Sequence, residues 1–140
     1  MSTFGTLIKL HKRRVDEVRR RLAELERLAE DLRQRRKGLE IEFVGEQAVA
    51  AQSTESRMTY TAYAQVFEER CTKLAESLAD VEREVDGVRD SLSSAVQELK
   101  RYETINAKRE QLQRQVENRR QQSRFDEVAL DRHRRGNKDS

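Results

Sequence analysis

Residues 4–43 read FGTLIKLHKRRVDEVRRRLAELERLAEDLRQRRKGLEIEF. Stepping alternately four and three residues along this stretch gives Phe4, Ile8, His11, Val15, Val18, Leu22, Leu25, Ala29, Leu32, Arg36, Leu39 and Phe43. Ten of these twelve are apolar. Between them lie mostly Arg, Lys, Glu, Asp and Gln. A 4-3-4-3 stripe has the 3.5-residue period of a coiled coil. A helix that is oily along one narrow seam needs a second seam to cover it.

The same chain supplies one. From Phe67 the same steps give Cys71, Leu74, Leu78, Val81, Val85, Val88, Leu92, Ala95, Leu99 and Tyr102. If the chain folds back near residue 55, Phe43 meets Phe67, Leu39 meets Cys71, Leu32 meets Leu78, Leu25 meets Val85, Val18 meets Leu92 and Ile8 meets Tyr102. The second stripe fades at Asn106, opposite Phe4, where the first helix runs out of chain. The reading is therefore all-α: two long helices in an antiparallel coiled-coil hairpin with a C-terminal helical overhang. A single hairpin spans 1–140, with helix one over about 4–50, a connection over about 51–57, helix two over about 58–134 and a disordered tail over 135–140.

Composition agrees. Of 140 residues, 39% are charged and 35% hydrophobic, too few for a thick core but enough for a seam. There is no Pro to break the helices. The sustained stripe argues against disorder over 4–102. Net charge is only +3, unevenly spread: residues 1–50 and 101–140 are net basic, and 51–100 net acidic. In the hairpin both basic segments lie at its open end. Arg13, Arg14, Arg19, Arg20 and Arg21 cluster on neighbouring turns, either as a contact for an acidic partner or as a hydrated flank. Glu17 and Arg21 are spaced to pair within the helix.

Two polar residues break the first seam. His11 reads as partly wet near a frayed end, and Arg36 as lying with its stem on Leu74 and its head in water. Ser2 and Thr3 can cap the helix start. Gly45 interrupts helix one, and Gln52-Ser53-Thr54-Glu55-Ser56 is the most turn-like run, so a ragged loop is expected there. Helix two opens on Tyr60, Tyr63 and Phe67. Tyr63, Val66, Arg70 and Lys73 form a second stripe beside the seam, which should be exposed and is either a docking site or a cap on the coiled coil. Past Tyr102 the apolar residues thin to Ile105, Leu112 and Val116, until Phe125, Val128, Ala129 and Leu130 gather near the end.

The sequence offers no chemistry at a site. There is no Gly-rich phosphate loop or paired-Cys motif, and the carboxylates have helix-surface spacing. Cys71 is the only cysteine, so no internal disulfide can form, and it falls on the seam. His11 and His133 are too far apart in sequence to suggest a metal site. The reading is of a non-enzyme without cofactor or metal. It also lacks a leader or membrane span, with the cytoplasm as the default compartment. Interleaved acidic residues and the lack of stacking aromatics at the basic end count against nucleic acid.

Three motifs carry a family resemblance: the heptad helix opening at Leu7-Ile8-Lys9-Leu10, Tyr-x-x-Val-Phe from Tyr63 to Phe67, and Phe125-Asp126-Glu127-Val128-Ala129. Together with length, they make the chain resemble the FliJ family of flagellar type III export proteins over nearly its whole length. The resemblance implies an antiparallel coiled coil similar to the central stalk of rotary ATP synthases. It further implies an open end that enters the ring of the export ATPase hexamer, and a tip that contacts the cytoplasmic domain of the membrane export gate. Export chaperones are implied as further partners. By position, the gate contact falls on Leu39, Phe43, Val66, Phe67, Arg70 and Lys73, with Tyr63 beside them. Leu39, Phe43 and Phe67 are also seam positions, and the family pattern is less charged at Arg70 and Lys73. The ATPase contact falls on Arg13, Arg14, Arg120, Arg124, Phe125, Asp126, Glu127 and Ala129.

The function so implied is coupling of the export ATPase ring to the gate, with help in chaperone and substrate delivery. The protein would be a monomer when free and peripherally associated with the inner face of the cell membrane. The equivalent stalk protein of a virulence type III system has the same architecture. A structural coiled coil self-associating in parallel is the alternative of another class, and a nucleic-acid scaffold a more distant one.

Overall fold

The computed structural model describes residues 3–138. Among them the chain forms two helices and no strand: α1, Thr3–Ala50, and α2, Thr54–Lys138. The fold is all-α, and the helices pack against each other. Contacts divide the chain into two units, Lys12–Val96 and Met1–His11 with Gln97–Ser140.

Within Lys12–Val96 the helices run antiparallel along the heptad seam. Ala29, Leu32 and Leu78 form a buried cluster, with Leu74 and Val81 packed against it. Val15, Leu25, Val85 and Ala95 are also buried, and all of them are stripe positions. Leu32 against Leu78 is the pairing the periodicity predicts, so the register holds through this unit. Burying one such Leu side chain contributes about 1.5–3 kcal/mol. A two-helix seam shields only one side of each helix, so most stripe residues are half-buried. Phe43 stacks on Phe67 with centroids 4.1 Å apart, and more loosely on Tyr60 at 5.9 Å. The seam continues past Phe43 to buried Ala50. Arg36 is exposed, its guanidinium free to stay wet.

The corner differs from the expected ragged loop. Helix one passes through Gly45 without a break, and only Ala51, Gln52 and Ser53 separate the helices. Ser53 accounts for this early restart. Its hydroxyl accepts a hydrogen bond from the Ser56 amide at 3.1 Å and donates to the Ser56 hydroxyl at 2.6 Å, as an N-cap does. Glu55 adds a negative charge in the first turn, where the helix dipole favours one. The Ala51 amide still bonds the Gln47 carbonyl at 3.2 Å, and Gln52 bonds Val49 at 3.1 Å, closing α1.

Charges flanking the seam also pair differently from expectation. Arg21 reaches across to Glu84 at 3.4 Å, the cross-helix choice over Glu17 on its own helix. Arg33 meets Glu82 and Arg89 meets Glu26, each at 3.3 Å. These pairs are solvent-exposed and worth about 0.2–1 kcal/mol apiece, so they fix register more than they stabilise.

In the unit of Met1–His11 with Gln97–Ser140, His11 is half-buried and stacks on Tyr102 at 4.6 Å, and the Arg109 guanidinium lies over the Phe4 ring at 4.6 Å. These two contacts replace the fraying expected at the start of helix one. From 107 to 137 every residue is exposed, yet α2 continues to Lys138. Residues 135–138, expected in the disordered tail, are helical. Ser2 of the anticipated cap and the tail end 139–140 lie outside the described residues.

Candidate partner-docking surfaces

Two regions present side chains that the fold itself does not use up. The first is the corner half of Lys12–Val96. Phe43, Tyr60 and Phe67 form one aromatic stack, so Phe43 and Phe67 offer ring edges more than free faces. Tyr63, expected to be exposed, is half-buried. That partial burial, and then the nearby negative charge of Glu42, push Tyr63 above its usual 10.0. Val66 remains 47% exposed. Leu39, Arg70 and Lys73 line a shallow groove with Arg35, Gly38 and Leu74. Of the gate candidates, Leu39, Arg70 and Lys73 thus share one surface, and Phe43 and Phe67 share another. Gly38, Arg35 and Leu74 were missed as site residues. The first two lie off the stripe, and Leu74 is on it and reads as pure core.

The second region is the exposed length of α2. Phe125 is 75% exposed, and Val128 and Leu130 are more than half exposed. Phe125, Val128 and Ala129 follow i, i+3, i+4 and share a helix face. Arg120, Arg124 and Glu127 follow i, i+4, i+7 on another. Glu127, Val128, Leu130, Asp131 and Arg134 line a shallow depression. Arg135 pairs with Asp131 at 3.6 Å. Arg13 and Arg14, grouped with this region from sequence, are exposed on α1 and belong to the other unit.

Neither region is an enclosed cavity. Among the described residues no three His, Cys, Asp or Glu converge as a metal site would require. No helix is long and apolar enough to cross a membrane. The described residues thus define a class by fold alone: a two-helix coiled-coil protein whose packing leaves these two surfaces uncovered.

The model of the family described as Flagellar FliJ protein matches residues 1–138. The chain belongs to the FliJ family and is thereby a component of flagellar or related type III protein export. Comparison with curated proteins and with solved structures returned no match.

Proposed function

We propose that the protein is a non-enzymatic coupling element of flagellar protein export, linking the export ATPase ring to the cytoplasmic domain of the gate and assisting chaperone and substrate delivery. The observation that carries this reading is the division of labour along α2. Its half in Lys12–Val96 spends its apolar stripe on α1. Residues 107–137 are all exposed and still carry Leu112, Val116, Phe125, Val128 and Leu130. A charged helix with uncovered apolar residues gains from a partner that buries them.

In this reading Arg120, Arg124, Phe125, Asp126, Glu127 and Ala129, with Arg13 and Arg14, meet the ATPase. Leu39, Tyr63, Val66, Arg70 and Lys73 meet the gate, and Phe43 and Phe67 hold the shape of that surface. The free protein is a monomer, because its seam is already covered from within, and it reaches the inner face of the membrane only through the gate.

ATPase stimulation tests it. Purified export ATPase turns over faster with the full chain, and deleting residues 107–140 removes the gain. Stimulation that survives the deletion sinks the assignment of this segment to the ATPase. A gene neighbourhood of injectisome rather than flagellar components would move the same role to a virulence system.

A further inference from the structure

The pairs that flank the seam in Lys12–Val96 form two rows. One row holds Arg33–Glu82 and Glu26–Arg89, and the other holds Arg21–Glu84. Two heptads further towards the corner, the second row presents Arg35 from α1 and Arg70 from α2, both lining one groove. One heptad beyond that, the same row holds Glu42 and Tyr63, which interact. The Arg21–Glu84 register carried two heptads on, together with the groove they both line, sets Arg35 and Arg70 as facing positions. They carry like charges at the positions where, two heptads away, the row pairs Arg21 with Glu84. Lys73, one turn along, adds a third cation.

Such a mismatch costs stability, since like charges at flanking positions repel. Among the described residues no carboxylate lies within ion-pair distance of Arg35, Arg70 or Lys73. Glu42 is the one acidic residue lining the groove, and it too forms no ion pair with these three cations. Leu32, Leu39 and Leu74 supply apolar surface between the cations. A side chain added at Gly38 would meet nothing within 4 Å, so the groove stays open above that turn.

We propose that this groove binds an acidic segment of a partner protein. A carboxylate bridges Arg35 and Arg70, a second meets Lys73, and an apolar side chain between them rests on Leu39 and Leu74. A second copy of the chain does not fit, because apposing this face to itself would bring the three cations together. The proposal deepens the gate reading above, with which it shares Leu39, Arg70 and Lys73, by naming the chemistry that this surface recognises.

The test uses the full-length chain and a short fluorescent peptide of Glu, Leu and Ala, with Lys in place of Glu as its control. The Glu peptide binds, less tightly as salt is added, and the Lys peptide does not. Arg70→Glu weakens binding about tenfold or more, by removing one charge-assisted partner and satisfying the other. Its thermal midpoint does not fall, because Arg35 then gains a bridge like that of Arg21 with Glu84. Arg35→Gln, checked for helicity, weakens binding as well and serves if Arg70→Glu fails to fold. Equal binding of the two peptides, or unchanged binding in both variants, overturns the proposal. So does phosphatidylserine vesicle binding with the same dependence on Arg70, which would assign the groove to lipid, or peptide-sensitive dimerisation in sedimentation. Peptide capture without capture of the purified gate domain removes the gate reading and leaves this one. The reverse result removes only this one.

Discussion

Phe43 and Phe67 lie face to face, 4.1 Å between centroids and 14° from parallel, at mirrored positions of the two helices. Each is half-buried, and Phe43 also stacks on Tyr60. Phe43→Ala should lower unfolding free energy by on the order of 2 kcal/mol, and Phe67→Ala similarly. The double variant should lose less than the sum. Urea denaturation of all four proteins measures this, and strict additivity would show that the stacked pair contributes nothing as a pair.

Leu78 sits in the most closed part of the seam, with Ala29 and Leu32. Leu78→Ala should cost about 2–4 kcal/mol, more than Leu112→Ala on the exposed length of α2, which should cost under about 0.5 kcal/mol. Thermal melts followed by circular dichroism at 222 nm would rank the two.

Ser53 holds the start of α2 with its side chain. Ser53→Ala should cost about 1 kcal/mol, and Ser53→Asp should restore most of it, since Asp also caps. If Ser53→Ala is silent, the cap is not what ends the turn.

Gly87 lies inside α2, and nothing within 4 Å would meet an added methyl group. Gly87→Ala should stabilise by about 0.5–1 kcal/mol through helix propensity alone, raising the melting temperature without changing the fold.

The Gln34 side-chain amide donates to the Glu30 carboxylate at 3.0 Å. This hydrogen bond, followed by that from Arg33, holds Glu30 below the ordinary 4.5. A lowered folded-state pKa means the unfolded chain takes up its proton first as pH falls. The contribution is therefore present above about pH 4.5 and lost as pH drops through the folded value. Carbon-detected NMR titration should show Glu30 titrating low, and Gln34→Ala should move it back up.

The heptad stripe made the pairing of the helices legible in the sequence, because a narrow seam admits few registers and each slip exposes Leu32 or Leu78. The corner was less legible. Gly45 looked like the break, but a single glycine costs a long packed helix only about 1 kcal/mol, so it was carried through. The decisive signal was the local hydroxyl pair Ser53 and Ser56. Arg21 has Glu17 at good spacing on its own helix, and only the register of the two helices reveals Glu84. The surfaces were least legible. Tyr63 reads as exposed by period, but Glu42 and the corner draw it in. Arg35 has no meaning until α2 sets Arg70 opposite it. A partner's footprint leaves no periodicity of its own.

From residue 107 to 137 no side chain is withdrawn from water, though the backbone there stays helical. Amide protons in that span are guarded by local winding alone, whereas those near Leu32 and Leu78 can exchange only when the zipper parts. Deuterium uptake should thus run in seconds along the one and far slower along the other. Whatever clasps the bare span will announce itself as a sudden quiet in the faster of the two.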